Sequence, residues 1–125
     1  MELLQIGAEI IDSSINVHRA PGPGLLESAY QACLKYELQQ RGLRVESEVN
    51  LPVRYGGLKI NAGCRLDMSV LQSIIIENQS VEKILAIHKA QLLTYLRLRD
   101  IRSGYLINWN VPLVKSGIIR MMNNL

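Results

Sequence analysis

Two apolar runs separated by three residues constrain this chain more than any other feature. Cys64 to Val70 alternates, with Leu66, Met68 and Val70 on one face and Arg65, Asp67 and Ser69 on the other. Ile74 to Gln79 follows, three branched apolar residues that run straight into Glu77, Asn78 and Gln79. Strand side chains alternate between faces, so the two runs form an antiparallel pair whose register is set by Leu71, Gln72 and Ser73 between them. With a loop of those three residues, Val70 faces Ile74, Met68 faces Ile76 and Asp67 faces Glu77. Directly opposed residues have Cβ atoms about 4.5 to 5.5 Å apart, a distance at which like charges destabilise the pair. Three outcomes are open: a cation lies between the carboxylates, one of them holds a proton, or this end of the hairpin is solvated and the repulsion screened. Gln79, two residues beyond Glu77, projects from the same face.

The flanking segments predict the frame around this hairpin. Leu3 to His18 has apolar residues at helical spacing, Ile6, Ile10 and Val17 among them, and "RAPGPG" stops the helix. Leu25 to Arg41 resumes helical spacing, with Gly42 as its C-terminal cap. From Arg44 the period changes to two, through Val45, Val49, Leu51 and Val53, and "RYGGLKI" carries the paired glycines of a hairpin turn. Ile84 to Arg99 returns to helix, "SGYLIN" reads as a strand, and Gly117 to Met122 fits either a short strand or a helix. The order is two helices, three or four strands, a helix, then one or two strands.

The chain has 125 residues, 48% hydrophobic and 20% charged, which suits one domain over residues 1–125 with a single core. It opens on no basic leader with an apolar segment, and no apolar run approaches the ~20 residues needed to cross a bilayer. These features predict a cytoplasmic protein without a membrane segment. Cys33 and Cys64 lie in apolar surroundings without metal-ligand spacing, and read as reduced structural thiols. The net charge of +3 and pI near 9.0 permit a polyanionic partner without requiring one.

Further polar residues fall on helices. Glu27, in "GLLESAY", shares a helical face with Tyr30; alone it reads equally as a first-turn acid favoured by the helix dipole. His88, Gln91 and Tyr95 form a stripe opposite Leu85, Leu92 and Leu96, either a solvated face or a partly buried hydrogen-bonding one. Trp109, at a strand end, reads as packing or as a stacking platform for a base.

Gly24, Glu27 and Tyr30, with "VHRAPGPGLLESAYQACLKYELQQRGL", "LPVRYGG", "CRLDMSV", "HKAQLLTYLRL" and "GYLINWNVPLVKSGIIR", resemble the bacterial and archaeal GxxExxY proteins. That family is similar to the PD-(D/E)XK nuclease superfamily. The resemblance implies an α/β (α+β) fold, a mixed central sheet flanked by helices in the order ααβββ(β)αβ(β). It implies a catalytic set of Glu27, Asp67, Glu77 and Gln79, with Mg²⁺ or Mn²⁺ on Asp67 and Glu77, acting on the phosphodiesters of nucleic acid, DNA in the first instance. Tyr30, His88, Gln91 and Tyr95 become substrate-binding or orienting residues, Gln91 and Tyr95 being similar to the Gln-x-x-x-Tyr of RecB-type nucleases. Gln79 stands where the superfamily's motif has lysine. Lys35, Lys83 and Lys89 are candidates to replace that lysine from elsewhere. A degenerate module that binds nucleic acid without cutting it is the alternative. So is an assembly module in which the first helix and "NVPLVKSGIIRMMNNL" pack against a second copy as a homodimer.

Overall fold

The computed structural model describes residues 1–124, the surroundings of Ala62 and Gly63 excepted. Helix α1 (Leu3–Arg19) buries Ile6 and Ile10, which lie one turn apart on one face. The "PGPG" turn leads into α2 (Glu27–Gln40), which starts two residues later than the periodicity predicts. Leu26 is extended at ψ 152°, and the Leu25 amide donates to the Tyr30 hydroxyl at 3.1 Å instead of entering a helical turn. The far end closes as predicted at Gly42, whose φ of +82° favours glycine. There Leu43 N–H donates to Leu38 O and Gly42 N–H to Gln39 O, a Schellman pattern sealed by the burial of both leucines.

Five strands follow in spatial order β1 (Val45–Tyr55), β2 (Leu58–Val70), β3 (Ile74–Gln79), β4 (Ser103–Asn108) and β5 (Ile118–Met122). All neighbours are antiparallel except β3 and β4, which run parallel because α3 (Ala86–Arg99) crosses between them. The C-terminal segment resolves into a 3₁₀ turn (Val114–Gly117) followed by β5. Helices α1 and α2 cover one face of the sheet, burying Met68, Val70, Ile74, Ile76 and Trp109, and α3 covers the other, burying Ile75 and Leu106 under Leu92 and Leu96. This α/β arrangement of a mixed sheet between helices is the fold class predicted from the sequence.

Two local expectations change. The loop does place Val70 opposite Ile74 and Met68 opposite Ile76. However, Leu66 does not share a face with Met68 and Val70: it packs in the α3 layer, whereas they pack in the α1/α2 layer. The face switches where β1 carries Glu48 at φ 55°, a left-handed residue opposite the Asp67 position, so the hairpin twists sharply there. Leu85 likewise leaves the buried stripe of the third helix. It is the extended residue before α3 and is 52% exposed, and its amide donates to His88 Nδ1 at 2.9 Å.

Candidate active site

Past Met68 and Ile76 the β2/β3 pairing stops, and carboxylates take its place. Asp67 N–H donates to Glu77 Oε2 at 2.8 Å, and Asn78 N–H donates to Asp67 Oδ2 at 2.8 Å. Each acid thus satisfies a backbone donor that the splayed strands leave without a ladder partner. Glu77 is buried, 7% exposed, and Asp67 is half-buried. Burial first, then the charge of Asp67 and that of Glu27, push the Glu77 carboxyl up to about 8 against the opposing pull of the Asp67 N–H. Asp67 is also raised, by burial above all, with Glu27 and Glu48 adding and the Asn78 N–H and Arg65 opposing. Among the described residues Arg65, bound to Glu48 at 2.8 Å, is the cation that acts on the pair, through Asp67.

Glu27 arrives from the other side of the strand end. It is the first residue of α2, exposed, and its Oε1 accepts the Ser80 N–H at 3.1 Å, which places it beside the residue after β3. The local sequence explains this placement. Gly24 adopts φ +115°, a region essentially closed to side-chain-bearing residues. Fully buried Tyr30 then fastens the loop, its hydroxyl donating to Gly22 O while accepting from Leu25 N–H. Tyr30 stacks on Trp109 at 4.8 Å, and Trp109 Nε1 donates to Asn78 Oδ1 at 3.0 Å. Trp109 is therefore packed in the core, 0% exposed, and not open to a base. His18 Nε2 donates to Trp109 O at 3.0 Å and completes the support.

Of the α3 stripe, Tyr95 is the member tied to the acids. Burial first, then the charges of Glu77, Cys64 and Asp67, push its phenol up. Gln91, one turn earlier, is exposed, and His88 serves the start of the helix. Gln79 ends β3 half-buried, its backbone carbonyl accepting Trp109 N–H at 2.9 Å. The candidate substitute lysines are not among the groups acting on the two acids: Lys35 donates to Ser47 Oγ at 2.8 Å, and Lys83 and Lys89 are exposed. Asn78 and Arg65 carry more of the site than the sequence reading gave them. The signal for Arg65 was its two-residue spacing from Asp67, and for Asn78 a polar residue at an apolar strand's end.

The donor set can be tested against a metal. Among the described residues no group of three His, Cys, Asp or Glu side chains is placed to hold one, so Glu27 does not close a three-acid cage with the pair. Asp67 and Glu77 are hard oxygen donors, each with one oxygen turned to a backbone amide, and burial and mutual charge raise both carboxyls, so that without a metal the pair favours holding a proton. Such a pair fits Mg²⁺, which is often bound through one or two carboxylates and keeps several waters.

A family model for the PD-(D/E)XK nuclease superfamily matches residues 4–121. The chain belongs to this superfamily. No curated protein matches it. Among solved structures, the crystal structure of SSO0001 is similar in fold, with a TM-score of 0.58 and 22% identity over 98% of this chain. This chain spans 61% of that protein's length. No helix among the described residues is long and apolar enough to cross a membrane.

Proposed function

We propose that the chain is a Mg²⁺-dependent phosphodiesterase of the nuclease type, acting on nucleic acid, with chemistry weakened by Gln79. The observation that carries this reading is the Asp67/Glu77 pair: a half-buried and a buried carboxylate side by side at a strand end, both raised and Glu77 pushed up to about 8, in a chain of this superfamily. A proton relieves the repulsion of this pair in the absence of metal, and a divalent cation in its place would let both carboxylates ionise. A metal bound there would polarise the phosphate and lower the pKa of an attacking water.

The protein's own residues have separable roles. Asp67 and Glu77 would hold the metal, and the Asp67 and Asn78 amides fix one oxygen of Glu77 and of Asp67 respectively. Glu27, exposed beside Ser80, orders water or a second ligand at the rim. Gln79, on the face of Glu77, orients the attacking water through its amide oxygen. Tyr95 and Gln91 line the α3 side as orienting residues, His88 fixes the start of that helix, and Tyr30 fixes the loop that presents Glu27. Without lysine a charge next to the transition state is missing, a deficit of a few kcal/mol, about two decades or more in rate. Gln79 is also the observation that favours the second reading, a module that binds nucleic acid and has lost cleavage.

Calorimetric titration with Mn²⁺ and Mg²⁺, paired with cleavage assays of Gln79→Lys, tests both. Metal binding that Asp67→Asn abolishes, with cleavage by Gln79→Lys raised about a hundredfold, is expected. Metal-dependent cleavage by the wild type without any gain in Gln79→Lys points to a relocated lysine or to water positioning by the Gln79 amide. Metal binding without cleavage by either protein selects the binding module, and the absence of both metal binding and cleavage defeats the nuclease reading.

A further inference from the structure

The β1–β2 hairpin runs on beyond the sheet. Strand β3 pairs with β2 only at Met68 to Val70, and Leu51 and Leu66 still pack in the α3 layer. Beyond them the tip is open: Tyr55 is 80%, Leu58 61% and Ile60 38% exposed. Its two faces differ. Tyr55 opposite Leu58 and Val53 opposite Ile60 make one face apolar, and Arg54 lies directly opposite Lys59 on the other. Opposed like charges are destabilising. Neither cation has a carboxylate within ion-pair distance among the described residues. From Asn50 to Leu66 the sequence contains Arg54, Lys59 and Arg65 and no acid, so this segment alone carries a charge equal to the +3 of the whole chain.

We propose that this hairpin is the arm by which the chain holds the phosphate backbone of nucleic acid, an inference that rests on the nuclease reading above. Paired cations without counterions mark a place for an external polyanion, and adjacent phosphates supply charge at comparable spacing. The apolar face, with Tyr55 at its end, suits contact with sugars and unpaired bases better than a purely acidic polypeptide would. Strand β2 joins the arm to the site directly. Eight residues separate Lys59 from Asp67, roughly 25 Å of strand, so the arm engages phosphates about seven nucleotides from the acids.

Binding measured in chelator, where cleavage cannot occur, separates this proposal from the activity. Fluorescence anisotropy with labelled duplex DNA, single-stranded DNA and RNA is compared for wild type, Arg54→Ala/Lys59→Ala and Lys115→Ala/Arg120→Ala. The last changes the net charge equally but lies at the opposite side of the sheet, on the 3₁₀ turn and β5. The arm variant is expected to reduce the slope of log affinity against log salt by about 1.8, the loss of two phosphate contacts, without lowering the melting temperature. Tyr55→Ala is expected to weaken single-strand binding about tenfold at an unchanged slope. Equal losses in the two double variants would reduce the effect to net charge and overturn the arm. So would an unchanged slope in the arm variant, absence of binding by the wild type, or equally arm-dependent binding of poly-glutamate. Metal-dependent cleavage that survives any of these outcomes leaves the nuclease reading standing.

Discussion

Replacing Glu77 by Gln removes a charge while keeping an acceptor for the Asp67 N–H, now 2.8 Å from Glu77 Oε2. A carboxyl raised from 4.5 to about 8 keeps its proton in the folded chain over a range where the unfolded chain has lost it. The native state then binds more protons, so stability falls as pH rises through that window, by at most about 1.4 kcal/mol per pH unit. The full window gives an upper bound of about 4 to 5 kcal/mol, and local relaxation and water entry bring the expected loss to about 2 to 3 kcal/mol. Urea melts in chelator between about pH 5 and pH 8 measure it. Wild type is expected to lose that stability, and Glu77→Gln to retain most of it and exceed wild type at the upper end. The remaining slope reports Asp67, raised in the same direction. Saturating Mg²⁺ should flatten the wild-type curve, because the cation favours the ionised pair, and should leave Glu77→Gln unmoved. Parallel pH curves for the two proteins, or a flat wild-type curve in chelator, would refute the reasoning.

Tyr30→Phe deletes the hydroxyl that holds Gly22 O and Leu25 N–H, and is expected to cost about 1 to 3 kcal/mol and to speed hydrogen exchange at the Leu25 amide; unchanged exchange there would mean the loop is held by other contacts. Asp100 ends α3 in the left-handed region at φ 55°, an acid at the negative end of a helix dipole. Asp100→Gly is expected to stabilise the fold by about 0.5 to 1 kcal/mol in thermal melts, with Asp100→Asn gaining less.

The hairpin register was legible because apolar alternation and a three-residue loop leave one pairing that buries Met68, Val70, Ile74 and Ile76 together. The helices were legible for the same reason, since "PGPG" and Gly42 punctuate strong periodicity. The turn of Leu66 away from Met68 was not, because alternation assumes an even twist and here Glu48 takes a left-handed conformation without being glycine. Nor could local pattern reveal that β3 and β4 pair in parallel. Both are buried on their two faces, so neither alternates, and the pairing depends on the crossover through α3. The acids were visible as a pair, and the way they are held was not: each accepts a backbone amide made available only by the splaying of β2 from β3.

That splaying also explains why the supports of the site converge on one side chain. An antiparallel pair that ends early has loose donors and mobile carboxylates unless something behind it is rigid. Trp109 supplies that rigidity in two directions. Its indole N–H holds Asn78, whose own amide holds Asp67, and its ring stacks on Tyr30, whose hydroxyl holds the loop that presents Glu27. The acid of the helix and the acid of the strand are thus indexed to the same buried ring, although 40 residues separate them in sequence. The face toward α3 contributes differently, through the half-buried Tyr95 and the exposed Gln91. The rigid support thus lies on the α1/α2 side of the acids, where it holds the two carboxylates together, and the proposed metal-dependent chemistry needs that preorganisation.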